Sequence, residues 1–229
     1  MSVLLLRLSG PMQSWGTQSR FSHRDTGLEP SKSGVVGLLC AALGRPRHQP
    51  VADLAALEMA VRVDHEGQIA CDFHTAGGSR QGGQPYGVVK ADGKAGDTVV
   101  SRRYFLADAD FLVGLAGDPA LLQELHQALR SPVWPLYLGR KSFVPGMPVW
   151  LPDGLRPDET LVPALVSHPW QPPRRHKPER LRLVLETDPE SGEVRHDVPL
   201  SFADRCFTVR HVRMDFIEPP VSQEACPCT

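Results

Sequence analysis

Arg20, His23, Arg24 and Lys32 crowd one loop against only Asp25 and Glu29, and that loop runs straight into an apolar helix. Pro30 ends the loop, Ser31 or Ser33 caps the helix, and Val35, Val36, Leu38, Leu39 and Leu43 form its apolar side before Gly44 stops it. A helix N-terminus offers unpaired N–H groups and the positive end of the peptide dipole, so this entry suits a phosphate or a sugar-phosphate backbone. A nucleotide-binding P-loop is a poorer reading. The pattern G-x-x-x-x-G-K-[ST] needs glycines where this chain has Thr26 and Ser31, so the backbone cradle for a triphosphate is lacking. The bland alternative is a capped helix beside a solvated lysine. Trp15 reads as a core residue that anchors the loop.

A second set of cations lies in a stretch that no compact core would hold. Residues 75–103 contain seven glycines and the basic residues Arg80, Lys90, Lys94, Arg102 and Arg103. The ends of this stretch have strand composition, so a long β-hairpin with a projecting, mobile tip is the simplest geometry. Adjacent side chains on a strand face opposite ways, so only one of Arg102 and Arg103 points into a given groove. His74 and Arg80 come from the opposite strand. Arg140 and Lys141 follow a predicted inner strand, and residues 174–180 form a basic segment that reads as a solvated loop.

The net charge of −1 conceals this asymmetry. Residues 1–50 carry six Lys/Arg and two acids, whereas residues 51–72 carry one Arg and five acids, so local rather than net charge is the relevant quantity. Five cysteines without paired CxxC motifs or an upstream secretion signal imply a reduced, cytoplasmic setting, with Cys226 and Cys228 in a frayed tail. No apolar run suits a membrane span. Scattered histidines, with no HxxxH pattern and no acidic cluster, give no metal site, no cofactor and no assembled acid–base pair for RNA cleavage.

The elements that must position these residues read as an α+β fold. Residues 2–9 form a central strand, 33–44 a helix, and 51–57 a second helical segment; 59–63 is a strand with 69–74 as its hairpin partner. Residues 111–116 are another strand, and Asp118-Pro119 opens a helix closed near Arg130. The order strand, helix, strand, strand, helix, strand is the ferredoxin-like arrangement shared with RRM domains. Recurring prolines after Pro145 suggest short strands, hence a division into residues 1–144 and a small C-terminal β domain, 145–229.

Gly-Pro-Met-Gln-Ser-Trp-Gly at 10–16, then Arg24, Thr26 and Pro30-Ser31-Lys32-Ser33-Gly34-Val35-Val36-Gly37-Leu38-Leu39, resemble the opening of the CasD family. That family forms the guide RNA 5′-handle-binding subunit of the type I-E CRISPR complex Cascade. Phe73-His74-Thr75 and Leu136-Tyr137-Leu138-Gly139-Arg140-Lys141-Ser142 agree with it, and Phe202-Ala203-Asp204-Arg205 agrees more weakly. The resemblance implies a RAMP-superfamily domain whose thumb, residues 75–103, inserts into the RNA handle. It implies a non-catalytic role in antiviral defence, with RNA contacts from Arg20, Arg24, Ser31, Lys32, Ser33, His74, Arg80, Arg102, Arg103, Arg140 and Lys141. The implied neighbours are the guide RNA, the backbone subunit CasC and the large subunit CasA, with target DNA engaged through the assembled complex. The rival expectation is a metal-independent endoribonuclease on the same fold.

Overall fold

The computed structural model describes residues 2–16, 18, 22–77, 88, 96, 98–171 and 178–220. The central sheet has seven antiparallel strands. In chain order these are β1 (Ser2–Ser9), β4 (Glu58–His65), β7 (Asp110–Gly117), β8 (Trp150–Pro157), β9 (Leu181–Thr187), β10 (Glu193–Ser201) and β11 (Cys206–Ile217). Across the sheet they run β10-β11-β9-β4-β7-β1-β8. The expected β1 is dense in Val and Leu because both of its faces are covered: Leu4, Leu6 and Leu8 join one core, and Val3 and Leu5 join the other.

Helices α1 (Lys32–Leu43), α2 (Ala52–Ala55) and α3 (Pro119–Arg130) pack on the first face, and α4 (Leu161–Ser167) lies on the second. The start of α3 follows from local chemistry, since Asp118 accepts the Leu121 N–H at 2.9 Å and Pro119 occupies the first helical position. Leu122, Leu125 and Leu129 then form its buried stripe. None of the described helices is long and apolar enough to cross a membrane.

A second sheet is built around β6 (Val99–Ala107). Strand β5 (Gln68–Ala76) takes one edge of β6 in register from Gln68↔Ala107 to Ala76↔Val99, so the expected hairpin has a paired base; its tip lies outside the described residues. The other edge receives β2 (Met12–Gln13), antiparallel, and β3 (His23–Arg24), parallel.

Three expectations about organisation require correction. Residues 69–74 pair with β6 and not with 59–63, because both edges of β4 are taken by β7 and β9. Gly67 supplies the turn with φ +71°, but its backbone packs against Ala107, where a Cβ would meet the carbonyl oxygen at 2.6 Å. The inner strand expected just before Gly139 is absent: Leu138 instead closes a turn, its N–H donating to Phe143 O at 2.7 Å, and β8 takes the sheet position beside β1. The 144/145 division does not separate two sheets. Strands on both sides of it share one sheet through the β1–β8 and β4–β9 pairs, and α4 interrupts the region expected to hold only strands. Pro163 fits α4 because it falls in the first turn, where its missing N–H costs nothing.

Arg62 fastens α4 to the sheet. Its side chain is fully buried, donates to the Asp64 carboxylate at 2.6 and 3.0 Å, and donates to the carbonyls of Leu165, His168 and Pro169. Trp170 Nε1 donates to the Asp64 carbonyl at 3.2 Å, completing the clamp. Removing one member of a buried ion pair strands the other, at about 3–5 kcal/mol. Arg62→Ala should lose stability of that order in urea unfolding, whereas loss near zero would show that α4 is held by its leucines alone.

His168 adds a pH dependence. Burial holds its imidazole below the usual histidine range, against the attraction of Asp153 at 3.9 Å and with further repulsion from Arg62 and Arg156. The unfolded chain therefore binds the proton more readily, so this contribution is complete above about pH 6.5 and is lost as pH falls through the lower folded value. The melting temperature should fall between pH 7 and 5, and His168→Gln should flatten that part of the profile.

Candidate nucleic-acid interface

Both ends of α1 are satisfied by segments remote in sequence. At its start, Ser31 Oγ accepts the Gly34 N–H at 3.3 Å as a helix cap. The Lys32 N–H donates to Asp197 Oδ2 of β10 at 2.8 Å, and Lys32 Nζ donates to Glu186 of β9 at 2.9 Å. Arg210 of β11 closes the cluster, reaching Asp197 at 2.8 Å and Glu186 at 3.1 Å. Burial opposes the Arg210 charge, but these two carboxylates outweigh it and its pKa is raised. An anion does sit at this helix N-terminus, but it is the chain's own Asp197. The expected RNA contacts from Ser31 and Lys32 are thereby corrected: both residues are buried and bonded within the fold. Ser33, the neighbouring candidate, is partly exposed.

At the other end, Gly44 adopts φ +71° as the left-handed cap. The last carbonyls of the helix accept from the segment after α3: Val133 N–H reaches Ala42 O at 3.0 Å and Trp134 N–H reaches Ala41 O at 3.1 Å. This fixes the backbone of Trp134 beside α1 while its side chain stays exposed.

The Gly139-Arg140-Lys141 turn is locked against the loop after β1. Ser14 N–H donates to Leu138 O at 3.1 Å, and Gly139 has φ +86° with a hypothetical Cβ only 1.7 Å from Ser14 O, so no other residue fits. Arg140 lies over the Phe143 ring and donates to Tyr104 O at 2.8 Å and Arg24 O at 3.4 Å. In the second sheet Arg24 is in register with Arg103, and Arg103 donates to Ser101 Oγ at 3.0 Å. Burial lowers the Arg140 pKa, and the neighbouring Arg103 and Arg24 lower it further, against the opposing pull of Asp25 and Asp72. Arg102 points to the opposite face and covers Phe73 at 5.6 Å. His74 is exposed and shares the Arg103 face, opposite Ser101. Arg20 and Arg80 lie outside the described residues.

Arg24 and Lys141 reach the rim of a groove of about 1120 Å³ along α1. Its floor is α1 from Ser33 to Ala41. Arg45 and Arg47 line the end beyond the helix, Trp134 and Tyr137 line one wall, and Phe202 and Arg205 of the β10–β11 turn, with Phe207 at the start of β11, line the other. No carboxylate lines it among the described residues. Arg45 is paired with Asp53 at 2.7 Å, whereas Arg47 and Arg205 are exposed. Arg205 has φ +53°, a conformation uncommon outside glycine, in a turn held by Ser201 Oγ donating to Asp204 at 2.8 Å. Among the described residues no cluster of His, Cys, Asp and Glu could hold a metal ion. Sequence reasoning missed Arg45, Arg47, Trp134, Tyr137, Phe202, Arg205 and Phe207 as site residues, although the weak family match at 202–205 marked one wall.

The two classes of cation should separate in unfolding experiments. Lys32→Ala or Asp197→Ala should cost about 1–3 kcal/mol, because each removes hydrogen bonds from the buried cluster of Lys32, Glu186, Asp197 and Arg210 and leaves the charge of the remaining three unbalanced. Lys141→Ala and Arg205→Ala, at exposed positions, should stay within about 0.5 kcal/mol of the wild type.

A profile of the family described as CRISPR-associated protein (Cas_Cas5) matches residues 3–213. The chain is similar to CRISPR system Cascade subunit CasD of Escherichia coli (strain K12), 36% identical over 156 residues that make up 62% of this chain and 66% of that protein. In structure it resembles a protein described as "Crystal structure of Cas protein", with a TM-score of 0.75 and 46% identity over 95% of this chain and 97% of that one. It also resembles a chain of a CRISPR RNA-guided surveillance complex, with a TM-score of 0.79 and 38% identity over 95% of this chain and 91% of that one. With its length matched almost throughout and its fold shared with these proteins, the chain belongs to the CRISPR-associated Cas5 family.

Proposed function

We propose that the protein is a non-catalytic, RNA-binding subunit of a Cascade-type surveillance complex, gripping the 5′ handle of the guide RNA and capping one end of the assembly in the cytoplasm. The observation that carries this reading is the groove along α1, where exposed cations stand on both walls and at the far end with no carboxylate between them. Phosphate contacts from Arg24, Arg47, Lys141 and Arg205 supply affinity, and the Arg24–Arg103–Arg140 cluster, where like charges already converge, takes a further phosphate. The β1–α1–β4–β7–α3–β8 unit, with sheet order β4-β7-β1-β8, is read as the ferredoxin-like RAMP domain. On this reading the β5–β6 hairpin is the thumb, CasC and CasA are the protein neighbours, and target DNA is met through the assembled complex.

Filter binding of a handle-containing RNA tests this proposal. Affinity should fall steeply with salt, and Lys141→Ala or Arg205→Ala should each reduce the slope of log K against log salt by about 0.7, one single-strand phosphate contact. A flat salt profile would reject it. Incubation with precursor guide RNA in EDTA and in Mg²⁺ should leave the RNA intact. Specific cut products lost in His74→Ala would favour the endoribonuclease instead.

A further inference from the structure

We infer that the groove holds unpaired RNA bases by stacking them on Trp134 and Phe202, so that its two aromatic walls read bases while the surrounding cations read phosphates; this rests on the RNA-binding reading above. The four tryptophans differ sharply in setting. Trp15 and Trp170 are 1% exposed and Trp150 is partly buried, but Trp134 is 43% exposed on the groove wall. A large apolar ring left nearly half in water beside cations offers a face to a flat partner.

Both walls are fixed before any ligand arrives. Trp134 is tethered through its own backbone N–H to Ala41 O at the end of α1. Phe202 sits in the turn after β10, the strand whose Asp197 is bonded to the start of α1, and Phe207 meets its ring edge-on at 6.4 Å. Between the walls the floor is small: Gly37 faces Phe202, where a Cβ would already make contact at 3.8 Å. Tethering both walls to the two ends of one helix means that little rotational freedom is lost when a base enters. Every base presents a flat π-face, so such a site accepts unstacked single strands and excludes a duplex, whose faces are already covered. An extended acidic peptide would use the cations and leave the rings idle.

The test uses the full chain with three probes: a repeat-derived single-stranded RNA, the same strand with abasic riboses at every position, and its duplex. The intact strand should bind best and quench tryptophan fluorescence, and Trp134→Phe should keep most of the affinity while abolishing the quench. Trp134→Ala and Phe202→Ala should each weaken the intact strand about tenfold, with the salt slope unchanged and with little effect on the abasic strand. Equal weakening of both strands, tighter binding of duplex, or displacement of the RNA by poly-glutamate at matched charge with the same dependence on Trp134 would overturn stacking while leaving RNA binding in place. Failure of the wild type to bind any of the three would instead remove the underlying reading.

Discussion

The groove exists because α1 cannot satisfy its own ends. Any α-helix leaves N–H groups at its start and carbonyls at its finish without partners, and a short helix packed on a sheet cannot leave all of them to water. Here the first turn is completed by Ser31 and by Asp197 from β10, and the last turn by Val133 and Trp134 from the segment after α3. Each supplier carries an aromatic residue to the flank of the helix. Satisfying backbone polarity and building two walls of a binding surface are therefore the same structural event.

This arrangement divides the cations into two populations. Lys32 and Arg210 are neutralised by Glu186 and Asp197 and hold the C-terminal strands to the N-terminal helix. Arg182 belongs with them, bridging β9 to Glu29 of the loop at 2.9 Å and to Glu66 at 2.7 Å, which pushes its pKa upward. Arg24, Arg47, Lys141 and Arg205 instead line the groove, which no carboxylate lines among the described residues. Net charge near zero is compatible with a strongly cationic surface because most acids are spent internally or on other faces.

The same logic accounts for the residues that carry the family resemblance. Trp15 is a core residue, its Nε1 bonded to Gln13 at 3.2 Å, and Gly34 is required beside it because a Cβ there would lie 2.8 Å from the indole. Gln13 bonds the carbonyls of Leu8 and Ala109, and Thr26 accepts the Trp15 N–H. Gly139 lets the Arg140-Lys141 turn approach Ser14. Much of the motif thus positions the loops that frame the groove, and fewer of its residues face into it.

Local chemistry determined a good deal of this from sequence alone. The capped helices α1 and α3, the apolar central strand β1, the core role of Trp15 and the opposed directions of Arg102 and Arg103 all follow from periodicity, capping residues and strand alternation, which act within a few residues. The helix-start argument for Lys32 found an anion but not its source, because electrostatics at short range cannot distinguish a phosphate from a carboxylate 165 residues away in the chain. Only the tertiary structure decided that β5 leaves β4 for β6, that β8 to β11 extend one sheet across the proline-rich region, and that Trp134, Phe202 and Arg205 meet over α1. Strand partners and groove walls are chosen by which distant edges and unsatisfied helix ends remain available after the core has packed, and that competition leaves no periodic mark in the residues themselves.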